Sequence, residues 1–533
     1  MKRGFLLTAF LVSQITLFAQ EHAWVYFTDK PNAAAQLTAP ITVLTQAAID
    51  RKINHLVAID ERDVPVHEPY ITQLKASPGI TYKAKSKWFN SVHVIGTEAA
   101  INALESTHDF VDYIDFADSD LNARVGVFQD KFQLESSLRD FTYGNTLNQV
   151  EMINVDALHA ADYTGEGVVV AVIDAGFPNV NTMAGFDRLR AAGNLMGGYD
   201  FVNRTADVYS STVSDHGTQV LSTMAGYVEN QYVGTAPDAS YYVFLTEDGN
   251  NESPVEESYW VEAVERADSL GVQIINTSLG YKGFDNSKYN YTDEELNGTT
   301  TYISKGANMA FEKGLILITS AGNSGASGIS APGDAAGVLT IAAVDGNGNY
   351  ASFSSQGSVF QLTQKPDVAA RGSGSYVINK NNQIIQSSGT SFSSPILAGG
   401  VASLVQALPN ATNAEIYTYV RESASQYANP DFFMGYGIPN FEIALSLGFT
   451  DQFTKQLDFE IFPNPATSNL FIKYPDSIPT ARVAIHNVLG QLVYENQLES
   501  MQPVHIEPLS KGLYILTIHT DSQNSITFKV IKE

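Results

Sequence analysis

Cysteine is absent from the 533 residues of the chain. Its absence excludes a disulfide framework, a zinc site with cysteine ligands and a catalytic thiol. Cations are also scarce, because 31 Lys and Arg stand against 57 Asp and Glu and give a formal net charge of -26. Nucleic-acid binding needs clustered cations opposite the phosphates, so this composition predicts no nucleic-acid partner. The acidity fits extracellular solubility or cation binding.

Long apolar runs are missing after the start of the chain. Lys2 and Arg3 precede an apolar stretch over residues 5–18, which ends at the small residue Ala19. This is the arrangement of a secretory signal, and we predict that residues 1–19 are removed on export. No later run reaches the roughly 20 apolar residues that a membrane helix needs, which predicts that the mature protein does not span a membrane.

Residues 20–140 carry the pattern of a small α+β unit. The segments Val92–Ile95 and Phe110–Phe116 favour strands, and Thr97 is suited to cap a helix over residues 98–106 between them. The unit ends in a polar stretch, which separates it from a different pattern further along the chain.

Residues 141–450 are predicted to form a layered α/β domain, because short apolar strands alternate with helical stretches. The run 168–173 is apolar at every position, as expected of a strand buried on both faces of a parallel sheet. The predicted strands are Val168–Ile173, Ser240–Thr246, Val272–Asn276, Leu315–Thr319 and Val338–Val344.

Residues 455–533 lack the helical pattern. Short segments rich in Val, Ile and Tyr are separated by turn signals at residues 463–465, Gly490 and Gly512. This region is predicted to be a small all-β sandwich.

Histidine is scarce in the α/β domain. Of the ten in the chain, only His159 and His216 lie between residues 150 and 450. His159 lies on a helical segment, where a single histidine is usually structural, whereas His216 lies at a predicted junction of loop and helix and is the better candidate for a general base. The chain also has no His-Glu-x-x-His pair. This absence and the scarcity of histidine both argue against a metallohydrolase.

A histidine base requires an orienting carboxylate and a nucleophile. Asp174 directly follows the run 168–173, at the carboxyl end of a predicted parallel strand, where open α/β sheets place their sites. Ser391 lies in a glycine-containing turn before an apolar helix over residues 396–408, so the helix N-terminus is expected to favour negative charge beside it. Pro395 is expected in the first turn of that helix. The alternative for Asp174 is a structural carboxylate, and the alternative for the Ser391 segment is a plain helix cap.

Asn323 is the candidate for a further hydrogen-bond donor. It lies in a glycine-flanked loop after the predicted strand Leu315–Thr319, and its amide could stabilise an oxyanion. Ordinary turn chemistry is the alternative, because asparagine next to glycine is common in turns.

Together these segments resemble the subtilisin family of serine peptidases. The chain order Asp, His, Ser is that of subtilisin. Ala175 departs from the family, which usually has Thr or Ser there, and residues 392–397 differ from the more frequent family sequence. The blocks that carry the resemblance are residues 165–176, 216–218, 224–226, 234–237, 276–280 and 389–391.

The resemblance implies a secreted serine endopeptidase with a three-layer subtilisin-like domain around a parallel central sheet. It implies a catalytic triad of Asp174, His216 and Ser391, with Asn323 in the oxyanion hole. It also implies that residues 20–140 are a pro-segment that assists folding and blocks the cleft until it is cut between residues 118 and 140. The residues expected to line the bound peptide are Ser278, Leu279, Gly280, Ser320, Ala321 and Gly322.

Three alternatives stay open at this point. Residues 20–140 could be an ordinary N-terminal domain, and the whole protein could be a catalytically silent surface protein that keeps the fold for binding. No cofactor is required for the chemistry, but family members often bind structural calcium. The loops 247–251 and 345–349 are oxygen-rich candidates for calcium, and solvated turns are the alternative for both.

The C-terminal region resembles the sorting domains of the Bacteroidetes type IX secretion system. This implies passage across the outer membrane, to the medium or the cell surface, with the secretion machinery as a partner beside the protein substrates and the pro-segment. A β-sandwich binding module is the alternative. The segments that carry the resemblance are residues 462–466, 488–491, 511–514 and 529–532.

Overall fold

The computed structural model describes most of the chain. The predicted signal, residues 1–19, lies outside the described residues, as does nearly all of the predicted cleavage zone 118–140. No helix within the described ranges has the length and apolarity to cross a membrane. These ranges are residues 20–55, 57–118, 121, 141–211, 214–457, 459–474, 478, 480–487, 492–519 and 525–533.

The N-terminal unit is a four-stranded antiparallel sheet in the order β2-β3-β1-β4. The predicted strand, helix and strand are confirmed, and Thr97 caps the helix because its hydroxyl accepts a hydrogen bond from Ala100 N at 3.2 Å. The elements are β1 (Glu21–Phe27), α1 (Ala33–Leu37), α2 (Gln46–Asn54), α3 (Glu68–Lys75), β2 (Thr81–Ser86), β3 (Ser91–Gly96), α4 (Glu98–Thr107) and β4 (Val111–Phe116).

The central domain is built on a seven-stranded parallel sheet in the order β13-β12-β11-β10-β5-β9-β6. All five predicted strands belong to it, and the two edge strands, β6 and β13, are additional. The strands of this domain are β5 (Val169–Asp174), β6 (Leu195–Asp200), β7 (Tyr227–Val228), β8 (Tyr232–Val233), β9 (Ser240–Leu245), β10 (Ile274–Thr277), β11 (Ile316–Ser320), β12 (Leu339–Val344), β13 (Val368–Arg371), β14 (Ser375–Ile378) and β15 (Ile384–Ser387).

Helices cover both faces of this sheet, which confirms the three-layer fold. Along β5, Val170 and Val172 pack into the core beneath α8 and α11, whereas Ala171 and Ile173 pack beneath α9 and α10 on the opposite face. The helices are α5 (Leu147–Glu151), α6 (Val155–Ala160), α7 (Asp187–Ala191), α8 (His216–Ala225), α9 (Val255–Leu270), α10 (Tyr302–Glu312), α11 (Thr390–Ala407), α12 (Asn413–Glu422) and α13 (Phe441–Leu457).

The N-terminal unit packs on α9 through buried polar contacts. Trp24 Nε1 donates to Ser258 Oγ at 2.8 Å, and Glu265 accepts the backbone N–H of Trp88 at 3.0 Å. Asp268, which is fully buried, pairs with Lys52 at 2.8 Å. A buried charge that loses its partner costs about 3–5 kcal/mol, so these pairs favour one docking position of the unit.

The C-terminal region folds as two antiparallel sheets, β16-β17-β20 and β19-β18-β21-β22, with a shared apolar core. This confirms the predicted all-β architecture. The strands are β16 (Glu460–Phe462), β17 (Asn469–Lys473), β18 (Thr480–Asn487), β19 (Leu492–Glu499), β20 (Pro503–His505), β21 (Gly512–His519) and β22 (Ser525–Lys532).

Candidate active site

Asp174 and His216 meet at the carboxyl edge of the central sheet. Asp174 is the last residue of β5 and is fully buried, and His216 is the first residue of α8. Asp174 Oδ1 lies 2.7 Å from His216 Nδ1. Gly217 permits this approach, because a Cβ there would lie 2.6 Å from the carbonyl oxygen of Gly176 and 2.9 Å from Asp174 Cβ.

The electrostatics of this pair favour a basic imidazole. Burial lowers the pKa of His216, but the charge and hydrogen bond of Asp174, with the charges of Asp215 and Glu247, more than offset it, so the pKa lies above the ordinary histidine value. An imidazole that donates from Nδ1 to the carboxylate presents its bare Nε2 to a nucleophile. The imidazole side chain is 32% exposed, so the ring is partly accessible.

The second carboxylate oxygen of Asp174, Oδ2, lacks the hydrogen bonds that Oδ1 accepts. Oδ2 is buried and accepts no hydrogen bond from any described residue. Its neighbour Ala175 has no side-chain donor, although the Ala175 backbone N–H donates to Oδ1 at 2.7 Å. The bond to His216 is present although residue 175 departs from the family.

Ser391 lies at the same edge of the sheet. It is the second residue of α11 and is only 9% exposed, and the ring of the next residue, Phe392, lies 6.0 Å from the His216 ring. The Ser391 hydroxyl is 3.5 Å from the carbonyl oxygen of Ser278. The contact of Phe392 places the turn that carries Ser391 near His216.

The expectation for Pro395 is wrong. The helix begins at Thr390 rather than near Ile396, so Pro395 lies in its second turn. Proline has no N–H to donate to the carbonyl four residues earlier, which is that of Ser391. Ser278 Oγ donates to this carbonyl instead, at 2.9 Å. Because of the proline, the Ser391 carbonyl can accept this hydrogen bond, which connects the nucleophile turn to a predicted substrate wall.

Asn323 lies next to the nucleophile turn. Its Oδ1 accepts hydrogen bonds from Thr390 N at 2.9 Å and Thr390 Oγ1 at 3.0 Å. These two bonds orient the amide so that Nδ2 remains available. A Cβ on Gly389 would lie 3.6 Å from Asn323 Nδ2 and 3.7 Å from Ser391 N. Because residue 389 is glycine, no side-chain carbon lies beside these two nitrogen atoms.

The predicted peptide-binding residues lie in two neighbouring segments, which we call walls. One wall, Ser278–Gly280, follows β10, and the other, Ser320–Gly322, lies at the end of the neighbouring strand β11. The sequence did not predict Ser330, whose hydroxyl lies between them. A Cβ on Gly280 would lie 2.1 Å from Ser330 Oγ, and one on Gly322 would lie 3.3 Å from it.

Ser330 reaches this position through long-range pairing. Tyr281 and Ala331 exchange backbone hydrogen bonds of 2.8 and 3.0 Å, which hold the segment after Ser330 beside the first wall. Local sequence around Ser330 carries no signal for such a contact, so only the folded chain identifies this residue.

His159 and the loop 345–349 lie outside the site. His159 is fully buried and contacts Tyr143 Oη at 2.9 Å and the Thr235 carbonyl at 3.0 Å, in keeping with a structural role. Asp345 Oδ1 accepts the backbone N–H of Asn347 at 2.8 Å, which closes a turn within that loop. Within the described part of the chain, no group of three or more His, Asp or Glu is arranged to hold a metal ion, and structural calcium stays a prediction.

Family profiles match three successive parts of the chain. The subtilase family matches residues 165–437, and the peptidase S8 propeptide domain of Bacteroidota matches residues 22–133. The secretion system C-terminal sorting domain matches residues 460–533. This domain directs secretion through the type IX system to the cell surface or the extracellular space.

Individual relatives agree with these matches. Subtilisin DY of Bacillus licheniformis is 28% identical over 300 residues, which cover 55% of this chain and 97% of the relative. Subtilisin E of Bacillus subtilis is 30% identical over 302 residues, covering 55% of this chain and 70% of the relative.

A solved structure shares the fold. Fervidolysin from Fervidobacterium pennivorans, a keratinolytic enzyme related to subtilisin, aligns with a TM-score of 0.54 at 17% identity and covers 94% of this chain and 71% of its own. At this identity the likeness concerns the fold alone. The profile over residues 165–437 and the relatives together establish that the chain belongs to the subtilase family of serine peptidases.

Proposed function

We propose that this subtilase is a secreted endopeptidase that cleaves polypeptides through an acyl-enzyme on Ser391. The observation that carries the proposal is the 2.7 Å bond between Asp174 and His216 at the sheet edge where Ser391 also lies. A catalytically silent binding protein is the competing hypothesis. The buried carboxylate bonded to a partly exposed imidazole favours the peptidase, because binding alone does not require a basic imidazole.

In the proposed reaction, Ser391 Oγ attacks the carbonyl carbon of the scissile peptide while its proton passes to His216 Nε2. The hydroxyl must first leave the Ser278 carbonyl, to which its 3.5 Å contact is long and weak. The tetrahedral intermediate then collapses, and the leaving amine takes the proton from His216. Water attacks the acyl-enzyme in the same way and restores the serine.

Asp174 is proposed to stabilise the imidazolium that forms in both steps. Its carboxylate is fully buried, so little water screens its charge from His216. Asn323 Nδ2 and Ser391 N are proposed to donate to the oxyanion, whose charge develops only as the serine attacks. Donors held in place before the reaction stabilise that charge without reorganising.

Replacing Asn323 with alanine is expected to lower kcat by about 10²–10³, the range known for the oxyanion-hole asparagine of subtilisin. The physical reason is the loss of one donor to a charge that exists only in the transition state. The measurement is kcat and KM on a fluorogenic peptide. Asn347→Ala is a matched control, because Asn347 is an exposed asparagine between glycines and lies in another loop. Equal losses in both variants would contradict the proposed role.

The activity of the enzyme is expected to fall as the pH decreases through the pKa of His216. Only the neutral imidazole can accept the serine proton, and the pKa of His216 is raised by Asp174. The acidic limb of kcat/KM against pH should therefore have its midpoint above about 6.5, the value of an unperturbed histidine. A midpoint at or below that value would show that Asp174 does not act on His216 as proposed.

A further inference from the structure

A half-buried glutamate lies near the catalytic carboxylate and contacts the residue that follows the first substrate wall. Glu247 follows the end of β9, where Leu245 pairs with Asp174 on β5. Glu247 Oε1 accepts hydrogen bonds from Tyr281 Oη at 2.6 Å and Thr246 Oγ1 at 2.8 Å. Tyr281 comes directly after the wall Ser278–Gly280. Glu247 is therefore held at the rim of the proposed cleft.

This carboxylate has no cationic partner among the described residues. Both of its hydrogen bonds are made by hydroxyl groups and both fall on Oε1, so Oε2 remains free for a ligand. Burial raises the pKa of Glu247 to about 7, and the charges of Glu252 and Asp174 contribute to the increase. A cation placed here would relieve the repulsion between these carboxylates.

An acidic cavity lies beside the residues that directly follow Glu247 in the chain, and Glu247 itself does not line it. It has a volume of about 360 Å³, and the catalytic domain lines it with Asp248, Glu252 and Asp285. Within the described structure these three carboxylates form no ion pair either. We refer to Glu247, Asp248, Glu252 and Asp285 together as the acidic wall.

Two further observations indicate what the cavity accommodates. The pro-segment already places a basic residue there, because Lys83 of β2 is one of the residues that line the cavity. Ser253 also lines it, and its hydroxyl is unpartnered within the described chain although the residue is only 7% exposed. A buried hydroxyl without a partner is costly, and an ammonium or guanidinium group would supply a donor for it.

We propose that the acidic wall is a subsite for a Lys or Arg side chain of the polypeptide substrate, which becomes accessible when the pro-segment leaves. Glu247 is the member nearest to the catalytic pair and determines the preference most strongly. Its free Oε2 accepts a charge-assisted hydrogen bond from the basic side chain. The proposal rests on the proposed peptidase function and adds the substrate class: polypeptides with a basic residue near the scissile bond.

The test uses the mature secreted enzyme and a set of quenched fluorescent peptides. The two peptides of a pair differ at one position, which is Arg in one peptide and Gln in the other. Successive pairs place this position at different distances before and after the scissile bond. We expect Arg to be preferred over Gln by about tenfold in kcat/KM at one or more positions, which corresponds to about 1.4 kcal/mol. Raising the ionic strength from about 0.01 to about 1 M should reduce this preference, because screening then acts within about 3 Å.

Two variants locate the source of the preference. Glu247→Gln keeps an oxygen for the Tyr281 and Thr246 hydroxyls but removes the charge, and it should abolish most of the preference. Glu252→Gln should reduce it in part. Glu166→Gln is the matched control, because Glu166 is exposed and precedes β5 at the opposite edge of the sheet. Titration with a fluorophosphonate probe corrects every rate for the fraction of folded, active enzyme.

The outcomes separate this proposal from the proposed function. If the wild-type enzyme reacts with the probe and cleaves the Gln peptides as fast as the Arg peptides, the acidic subsite is refuted and the peptidase stands. The same holds if the Arg preference survives unchanged in both Glu247→Gln and Glu252→Gln. If the wild-type enzyme neither reacts with the probe nor cleaves any peptide, the peptidase function itself is refuted.

Discussion

Replacement of Ser391 by alanine is expected to lower turnover of an unfolded protein substrate by about 10⁶-fold, the size of the loss when subtilisin loses its nucleophile. The acyl-enzyme cannot form without the hydroxyl, and the oxyanion donors alone supply only a small part of the rate. The measurement is hydrolysis of a quenched protein substrate, with fluorophosphonate labelling of the same sample. Hydrolysis near the wild-type rate would refute the assignment of the nucleophile.

Ser393 provides the matched control for this experiment. Its hydroxyl donates to the Thr390 carbonyl at 3.0 Å, within the same helix. Ser393→Ala therefore removes a buried serine hydroxyl from α11 at a cost of about 1 kcal/mol in stability, and turnover and labelling should remain close to the wild type. If both variants lose activity equally, the effect comes from damage to α11.

The Ser391→Ala variant also tests the role of the pro-segment. If the peptidase cuts its own chain in the zone 118–140, the variant should be secreted with the N-terminal unit still attached. Buried contacts such as Lys52 with Asp268 would then keep this unit on α9. A mass spectrum of the secreted variant that shows the same N-terminus as the wild type would mean that another protease makes the cut.

The second large effect is expected for Asp174→Asn, which should lower kcat by about 10⁴-fold, as loss of the triad carboxylate does in other serine peptidases. An asparagine amide facing Nδ1 of His216 forces the imidazole into the tautomer that carries its proton on Nε2, where it cannot accept from Ser391. The pKa of His216 should also fall, because the charge and hydrogen bond that raise it are removed. Both effects are measured in one pH profile of kcat/KM.

Asp215→Asn serves as the matched control for Asp174→Asn. The charge of Asp215 also raises the pKa of His216, and Asp215 directly precedes it at the start of α8. It makes no hydrogen bond to the imidazole, so its loss should shift the pH profile slightly to lower pH and leave the plateau of kcat close to the wild type. If Asp215→Asn lowered kcat as much as Asp174→Asn does, the negative charge near His216, and not the tautomer of its imidazole, would dominate the effect on kcat.

Local pattern predicted the central strands well because most of them are buried on both faces. Edge strand β6 was missed for a physical reason. It contains Gly197 and Gly198, and a Cβ on Gly198 would lie 2.0 Å from the carbonyl oxygen of Val243 on β9. The close approach of β9 therefore requires glycine at position 198, and glycine is a residue that does not indicate a strand in the sequence. Strand β13 has only four residues, too few for a reliable periodicity.

The start of α11 shows the limit of local reasoning about the site. A helix with proline in its second turn contradicts ordinary helix rules, since the proline leaves the Ser391 carbonyl without a partner. The partner is Ser278 Oγ, which lies 113 residues away in the chain. The sequence could place Ser391 near a helix N-terminus, but it could not predict that a residue of the substrate wall completes that turn.

The sequence by itself determined the candidates for the proposed chemistry and roughly where each lies on its strand or helix. Apolar runs, glycine-flanked loops and the scarcity of histidine are properties of the sequence, and together with the family resemblance they predicted Asp174, His216, Ser391 and Asn323. The tertiary structure alone decided what surrounds these groups, including Ser330 between the walls and the acidic wall beside them. Such neighbours come together through contacts between distant segments, and the free energy of those contacts depends on the folded packing, which no local pattern records.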